Sequence, residues 1–282
     1  MQKDRPSLTA YRVGVSRAAH QILDAPKLLD DPIAVPIIGA RGAEELRARA
    51  RRFQAHFARY LRAFLIARSR VAEDALAEAV GRGVRQYVVL GAGLDTFAYR
   101  NPYPALKVFE VDHPATQEWK RAQLAAAAIP LPQSLTFVPV DFETQTLGAR
   151  LREAGFADSE KAFFSWLGVS MYLRRDSVTS TLSYVATQVP CGSGVVFDYT
   201  VSPATLGFTR RMIFLALMRR VARAGEPWRT FFEPTALAAE LGKLGFAHID
   251  DLGVEELNAR YFQGRSDGLR VGGFARVMSA RT

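Results

Sequence analysis

A glycine-rich loop that follows an apolar strand constrains the fold of this chain more than any other segment. Gln86–Leu90 is a short apolar run of the kind found in buried strands, and Gly91-Ala92-Gly93 follows it directly. Glycine is favoured where the backbone turns tightly and a ligand approaches the main chain closely. Asp95 lies in the same segment, just before an expected helix start. The pattern predicts a strand–loop–helix unit that binds a nucleotide-like cofactor, although a purely structural turn also explains it.

Acidic residues follow the next two predicted strands. Glu110 and Asp112 close one strand, and Asp112 comes 21 residues after Gly91, the spacing at which a carboxylate can accept hydrogen bonds from ribose hydroxyls. A dinucleotide site would also need a third glycine, but Thr96 stands at that position. Asp141 ends the following strand, where it could reach an adenine amino group. S-adenosylmethionine, which has an adenosine but no pyrophosphate, fits this pattern better than NAD.

The alternation of apolar runs and helical segments predicts a doubly wound α/β sheet. Ligands bind such sheets at the carboxyl ends of the strands. We expect one domain, with a helical N-terminal cover (1–80), a cofactor-binding core (81–200), a helical insert (201–245) and C-terminal strands (246–282). The predicted strands are Gln86–Leu90, Lys107–Val111, Leu135–Val140, Ala162–Trp166, Val195–Tyr199, Ala247–Leu252 and Gly273–Met278.

One arginine falls on the apolar side of a long predicted helix, Phe53–Val80. The apolar stripe of this helix is predicted to contain Phe53, Phe57, Tyr60, Leu61, Phe64 and Val71. Arg68 lies on that stripe, whereas Arg62 and Arg70 are predicted to point elsewhere. A charge at a core-facing position is costly unless it is paired. Arg68 therefore either clamps the carboxylate of the cofactor's methionine part, forms an internal ion pair, or extends its charged end to solvent.

Composition limits the other classes of function. The net charge is +9, and arginine supplies all but six of the 37 basic residues. These residues are spread along helix-like segments with no accompanying nucleic-acid signature, so neither nucleic acid nor a membrane is the expected partner. No apolar run approaches the roughly 20 residues of a membrane span, and the pattern of the first residues does not predict a secretory signal. With one cysteine and no zinc-ligand spacing among four histidines, we expect a cytoplasmic protein without a metal.

Several segments in order resemble the leucine carboxyl methyltransferase-like family of S-adenosylmethionine-dependent enzymes. The resemblance is strongest to the bacterial branch, which includes natural-product methyltransferases. The matching segments are RAAHQILDAPKLLDDPIA (17–34), ARSRVAED (67–74), VVLGAGLDTFAYR (88–100), VFEVDHPATQEWKR (108–121), VDF (140–142), FFSWLGVSMYL (163–173), GEPWRTFFEP (225–234) and GRSDGLR (264–270). The resemblance implies a Rossmann-like class I methyltransferase sheet of seven strands, with the last strand antiparallel.

The resemblance also implies roles for individual residues. Arg68 matches the arginine that holds the methionine carboxylate, and Asp112 matches the ribose-binding acid. The other matches are Gly91 and Gly93 in the cofactor loop and Asp141 with Phe142 at the adenine. Leu167 departs from the pattern, because much of the family has a glutamate there that contacts the cofactor's amino group. A backbone carbonyl of Trp166 or Leu167 is expected to replace it.

Candidate acceptor-site residues are less specific. His20 is the candidate general base, because the family's N-terminal segment folds over the active site, but a packing role in the first helix explains it equally well. Tyr199 is a second catalytic candidate, and His113 is expected to shape the cofactor pocket. The predicted acceptor-binding residues are Tyr11, Met171, Tyr172 and Arg210, the last of which could receive an acidic group.

The sequence therefore predicts an O-methyltransferase that uses S-adenosylmethionine and acts on a small-molecule carboxylate or hydroxyl, in bacterial secondary metabolism. Two alternatives stay open, methylation of a protein's C-terminal carboxyl group and a module that binds the cofactor or S-adenosylhomocysteine without turnover. A nucleic-acid methyltransferase is disfavoured, because no N/D-P-P-Y-type motif follows the fourth predicted strand.

Overall fold

A seven-stranded sheet forms the centre of the molecule. The computed structural model describes residues 7–141, 145–223 and 227–282, without the side chains at 210, 217 and 220–223. The strands are β1 (Gln86–Leu90), β2 (Lys107–Asp112), β3 (Leu135–Pro139), β4 (Ala162–Trp166), β5 (Gly194–Thr200), β6 (His248–Leu252) and β7 (Ala275–Arg281). Their order is β3-β2-β1-β4-β5-β7-β6. The first five are parallel, and β7 runs antiparallel to β5 and β6. The predicted class I sheet is confirmed.

Helices cover both faces of the sheet, and the first of them lies at the carboxyl ends of the central strands. They are α1 (Leu8–Leu23), α2 (Ala34–Ile37), α3 (Gly39–Ala48), α4 (Ala50–Phe53), α5 (His56–Gly81), α6 (Pro114–Ala126), α7 (Leu147–Glu153), α8 (Arg175–Thr187), α9 (Phe208–Arg223), α10 (Pro234–Leu244) and α11 (Val254–Tyr261). Short 3₁₀ helices span Phe97–Arg100, Ser170–Tyr172 and Pro203–Thr205. Among the helices of the described ranges, none combines the length and apolarity that a membrane span requires.

The central strands are buried on both faces, which explains their continuous apolar sequences. Every residue of β1, β4 and β5 is buried. Alternate side chains enter two separate apolar clusters: Val88 and Leu90 pack on one face of the sheet, and Tyr87 and Val89 on the other. This double burial holds β1 and β4 side by side, so the loops that follow them are anchored on rigid strands.

The predicted long helix is present, but its N-terminal half buries a different face. Helix α5 begins at His56, and Phe57 and Leu61 of the predicted stripe are 55% and 44% exposed. Arg62, predicted to point away from the core, is 1% exposed. Its Nε and Nη2 donate to the two carboxylate oxygens of Asp24 at the end of α1, each over 2.7 Å. Those expectations were wrong, because α1 supplies a charged partner that a single-helix pattern does not reveal.

The order of the strands places a crevice at one edge of the sheet. From β1 the chain builds outward through β2 to β3, and it then returns to the other side of β1 as β4. The loops after β1 and β4 therefore leave in opposite directions, and ligands bind doubly wound sheets at such a switch point.

Candidate functional site

A cavity of about 290 Å³ lies at this crevice. The loops after β1, β2 and β4 form its base, and one face of α1 forms part of its wall. The 3₁₀ helix after β4, the start of α8 and the segment before α10 complete the lining. The cavity is therefore built from chain segments that are far apart in sequence and meet at the carboxyl ends of the central strands.

The glycine loop after β1 is closely packed on two sides. Gly91 and Gly93 have φ angles of 64° and 48°, in the left-handed region that favours glycine. A Cβ atom at Gly91 would lie 2.3 Å from Cγ2 of Val169, and one at Gly93 would lie 3.0 Å from Cβ of Ala10. The loop consequently presents main chain rather than side chains to the cavity, as a cradle for a closely bound ligand.

Asp112 joins the end of β2 to this loop. One carboxylate oxygen accepts the N–H of Gly93 over 2.6 Å, and the other accepts the N–H of His113 over 2.7 Å. Burial raises the pKa of the Asp112 carboxyl group, and the two backbone amides oppose that rise. Each carboxylate oxygen keeps a further lone pair. Asp112 is therefore held rigidly in the cavity wall and can still accept hydrogen bonds from hydroxyl groups.

Arg68 brings a buried positive charge to the same cavity. Its Nη1 donates to Oδ2 of Asp198 over 2.6 Å, and Oδ1 of Asp198 accepts the N–H of Gly168 over 2.5 Å. The Nε of Arg68 is buried and has no hydrogen-bond partner within the described ranges. Arg68 thus forms an internal ion pair with Asp198 and also lines the cavity. Its Nε keeps an N–H group that can donate to an anionic ligand.

A second buried arginine, Arg17 on α1, also lines the cavity. Its Nη1 donates to Asp95 over 2.9 Å, and its Nη2 donates to Asp31 and Thr96 over 2.8 Å each. Thr96, which occupies the position of the missing third glycine, donates in turn to Asp31. Burial acts to raise the pKa of Asp95, but the charges of Arg17, Lys120 and Arg100 and the N–H of Phe97 together outweigh it, and the pKa is lowered. This network holds the glycine loop and the N-terminal cover together.

These residues fit S-adenosylmethionine. The unpartnered Nε of Arg68 matches a carboxylate ligand, and the glycine cradle allows close approach to the main chain. Arg68 would hold the methionine carboxylate, Asp112 the ribose hydroxyls and Asp141 the adenine, and all three line one cavity.

Residues 10–186 match the leucine carboxyl methyltransferase family. The chain belongs to this family. A Bacillus subtilis protein named "Putative S-adenosyl-L-methionine-dependent methyltransferase YktD" is 33% identical over an alignment of 293 positions, and the alignment covers 95% of each chain. A Mycobacterium marinum protein with the same description, but without the name YktD, is 34% identical over 205 residues, covering 70% of this chain and 67% of that protein.

Solved structures show the same fold as this leucine carboxyl methyltransferase family member. The structure of a "putative methyltransferase" from Thermobifida fusca aligns with a TM-score of 0.60 at 17% identity, and the alignment covers 99% of this chain and 95% of that chain. A DUF574 family protein from Streptomyces avermitilis aligns with a TM-score of 0.56 at 17% identity, covering 87% and 94%. At this identity the likeness concerns the fold alone.

His20, the candidate base, does not line the cavity of this family member. It is fully buried in the N-terminal cover, and its Nδ1 lies 2.9 Å from the carboxylate of Asp24. Its Nε2 accepts the N–H groups of Leu28 and Leu29 over 3.1 and 3.4 Å. Because Nε2 is an acceptor, the ring proton lies on Nδ1 and is donated to Asp24. Both nitrogens are therefore occupied, and the structure supports the packing role rather than the base.

Tyr199 and Trp166 also lie in the core rather than in the cavity wall. Both are fully buried in the cluster on one face of the sheet. The hydroxyl of Tyr199 donates to Asp251 over 2.9 Å. Strand alternation explains the misplacement of Tyr199, since its neighbour Asp198 is the β5 residue that reaches Arg68. Asp198 was missed, although a single acid within the apolar run VVFDYT was a visible signal.

Three further predicted residues have structural contacts in place of the expected ligand contacts. Glu110 is fully buried, and its Oε2 accepts a hydrogen bond from Nζ of Lys120 over 2.6 Å. Tyr11 packs edge-on against Trp119, with ring centroids 6.4 Å apart. Met171 is buried, and its carbonyl oxygen accepts a backbone N–H. None of the three is among the described residues that line the cavity.

The other predicted residues of the site do come together. The cavity is lined by Arg68, Gly91, Ala92, Gly93, Asp95, Asp112, His113, Asp141, Leu167 and Tyr172. The imidazole of His113 caps α6, where Nδ1 accepts the N–H of Ala115 over 3.3 Å. The neutral ring therefore carries its proton on Nε2. Phe142 and the side chain of Arg210 lie outside the described residues.

The sequence predicted that the N-terminal cover folds over the site, but it did not identify the residues of the cover and of the segment before α10 that line the cavity. One face of α1 lines the cavity through Thr9, Ala10, Val13 and Arg17. The cavity is also lined by Arg174, directly before α8, and by Arg229, in the segment before α10. Val13 and Arg17 are four residues apart and therefore lie on one face of α1. An arginine on the same helix face as apolar residues was also the signal that identified Arg68. For Arg229, which lies in an irregular segment, periodicity offered no signal.

Proposed function

We propose that this S-adenosylmethionine-dependent methyltransferase methylates an oxygen atom of a small molecule, with a carboxylate favoured over a hydroxyl. The observation that carries the proposal is that His20 and His113 already use ring nitrogens in hydrogen bonds. His20 has both nitrogens engaged outside the cavity, and Nδ1 of His113 is engaged inside it. An acceptor that is already ionised needs no base.

The cofactor is S-adenosylmethionine, as the sequence predicts. A relative whose alignment covers 95% of this chain bears this cofactor in its name. The cavity supplies the matching groups, a buried cation at Arg68 and a fixed carboxylate at Asp112. When bound, this cofactor supplies an electrophilic methyl group on a sulfonium sulfur.

The chemistry of the acceptor follows from its acidity. A carboxylic acid has an ordinary pKa of about 4 and a phenol of about 10. At neutral pH the first is an anion and the second usually gains from a general base. The chain's own contribution is then to orient the acceptor and to exclude water, for which the face of α1 and the loop after β4 enclose the cavity.

The bond that is formed can be tested directly. The purified enzyme would be incubated with cofactor labelled in its methyl group and with a panel of small carboxylic acids and phenols. Labelled product that releases methanol in mild alkali is a methyl ester, and this is the expected result with acids. Alkali-stable product formed only from phenols would overturn the preference for carboxylates.

The C-terminal carboxyl group of a protein is the second candidate acceptor, and the description of the matched family favours it. Peptides ending in leucine would be compared with the same peptides ending in an amide. Efficient methylation of the free acids, with none of the small acids, would establish this candidate. Absence of turnover with every acceptor, despite tight cofactor binding, would favour a binding module.

The remaining expectations from the sequence are kept as proposals. The acceptor is taken to be a metabolite of bacterial secondary metabolism, and the protein is taken to act in the cytoplasm without a nucleic-acid or membrane partner. A gel-shift titration with RNA and DNA at low salt would detect a nucleic-acid partner.

A further inference from the structure

Among the described residues, four arginines line the cavity, and two of them differ from the others. Arg17 and Arg68 are buried and directly paired with carboxylates. The side chain of Arg174 is 77% exposed, and its ion-pair partner Asp176, which is even more exposed, is 3.9 Å away. Arg229 is exposed and takes part in none of the ion pairs found among the described residues. The rim of the cavity therefore carries two positive charges that no nearby carboxylate closely compensates.

The backbone that carries these two arginines is held in place. The N–H of Arg229 donates to the carbonyl oxygen of Met171 over 2.7 Å. The buried Thr230 donates its hydroxyl to the carbonyl oxygen of Leu173 over 2.6 Å. These bonds join the segment before α10 to the segment that leads into α8, so Arg174 and Arg229 start from neighbouring, fixed positions on the rim.

Two of the three aspartates in the described lining of the cavity have partners of their own. Asp112 accepts two backbone amides, and Asp95 is paired with Arg17. Guanidinium groups bind carboxylates, phosphates and sulfates through paired N–H donors. The excess positive charge at the rim thus matches an anionic ligand, and the net charge of +9 would attract such a ligand from solution.

We infer that the acceptor carries a second anionic group, besides the oxygen that receives the methyl group, and that Arg174 and Arg229 bind this second group. The substrate class is therefore a small diacid or an acid with another anionic substituent. This inference rests on the proposed function. It assigns the recognition of an acidic acceptor to two arginines that line the cavity, whereas the side chain of Arg210, predicted from the sequence for this role, lies outside the described residues.

The test compares acceptors that differ in one charge. The probes are succinate, glutarate, adipate and terephthalate, each paired with its own monomethyl ester. The enzymes are the wild type, Arg229→Gln, Arg174→Gln, the double variant and Arg219→Gln. Arg219 is an exposed arginine of α9 outside the cavity lining, so its replacement changes the net charge without changing the rim.

We expect the wild type to prefer a diacid over its monoester in kcat/KM. Each rim substitution should lower that preference about 5- to 30-fold, the scale of a partly exposed charged hydrogen bond. The loss of activity on a diacid should exceed the loss on its monoester, and Arg219→Gln should behave as the wild type. A preference that survives in the double variant, or that falls equally in Arg219→Gln, overturns the inference.

A binding measurement separates this inference from the proposed function. Calorimetric titration of the protein, saturated with S-adenosylhomocysteine, with each diacid and its monoester needs no turnover. Tighter binding of a diacid that is lost in the double variant supports the inference even if no acid is methylated, in which case only the proposed function fails. Equal binding of every diacid and its monoester by the wild type overturns the inference even if small acids are methylated.

Discussion

At the scale of single residues, buried arginines form ion pairs that join distant segments of this protein. Arg17, Arg62 and Arg68 are each buried and paired with a carboxylate. Such charges are costly unless they are compensated, so their partners are as important as the arginines themselves. Only Arg68 stood out in the sequence, because it interrupts an apolar stripe. Its partner Asp198 is 130 residues away along the chain, beyond the reach of any local pattern.

Replacing Arg68 with alanine is expected to weaken S-adenosylhomocysteine binding by about 1.5–3 kcal/mol, because a charged hydrogen bond to the cofactor is lost. Calorimetric titration measures the change. Arg70→Ala is the matched control, since Arg70 is half-exposed on the same helix and pairs with Asp74.

The substitution also leaves Asp198 buried without its cation, so thermal unfolding must accompany the titration. Arg68→Lys keeps a positive charge beside Asp198 but loses the planar donor set, and it should show an intermediate loss of affinity. A folded Arg68→Ala protein with unchanged affinity would remove Arg68 from the cofactor site.

His20→Ala is expected to lower the free energy of unfolding by about 1–3 kcal/mol, because the amide N–H of Leu28 and the carboxylate of Asp24 each lose a buried partner. The kcat of the folded fraction should not change. Chemical denaturation and turnover assays on one preparation measure both quantities. If kcat instead fell by about 10²-fold or more with no loss of stability, His20 would be the base after all.

At the scale of elements, the strands were more predictable than the helix faces. The bounds of β1 and β4 agree with the sequence prediction, because strands buried on both faces are continuous apolar runs between polar segments. The last strand begins at Ala275 rather than Gly273, whose φ of 118° belongs to the preceding loop. Helix α5 was recognised, but the face that contacts α1 was not, because that face includes the charged Arg62.

The junction of α1 and α5 should make the protein sensitive to acid. Burial acts to raise the pKa of Asp24, but hydrogen bonds from His20 and Arg62 outweigh it and lower the pKa from 3.8 to about 2. A carboxyl group whose folded pKa is depressed stabilises the fold above its unfolded pKa. This contribution, about 1–2 kcal/mol, is lost as the pH falls from about 4 to 2.

Urea denaturation at a series of pH values tests this expectation. Asp24→Asn should be less stable than the wild type at neutral pH, and the difference should shrink towards pH 2. Asp30→Asn is the control, because Asp30 is exposed and forms only a surface pair with Lys27. Identical pH profiles for the wild type and Asp24→Asn would show that this junction does not contribute.

At the scale of the whole molecule, the site is formed by segments that are far apart in the sequence, and only some of these segments have a recognisable local pattern. The glycine loop, Asp112 and Asp141 were predictable because each follows its own strand, and parallel strands present their carboxyl ends to one edge. Arg17, Asp198 and Arg229 were not, because their place at the cavity depends on how the cover, β5 and the segment before α10 pack together. The fold and the cofactor half of the site were therefore predictable, and the acceptor half required the structure.

The central claim is that this cavity binds S-adenosylmethionine, and calorimetric titration of the purified protein with S-adenosylmethionine, S-adenosylhomocysteine and NAD tests it most directly. We predict micromolar binding of the first two ligands at one site per chain, and no binding of NAD, because Thr96 replaces the glycine that seats a pyrophosphate. A folded protein that bound neither S-adenosylmethionine nor S-adenosylhomocysteine, or that bound NAD more tightly, would contradict the account.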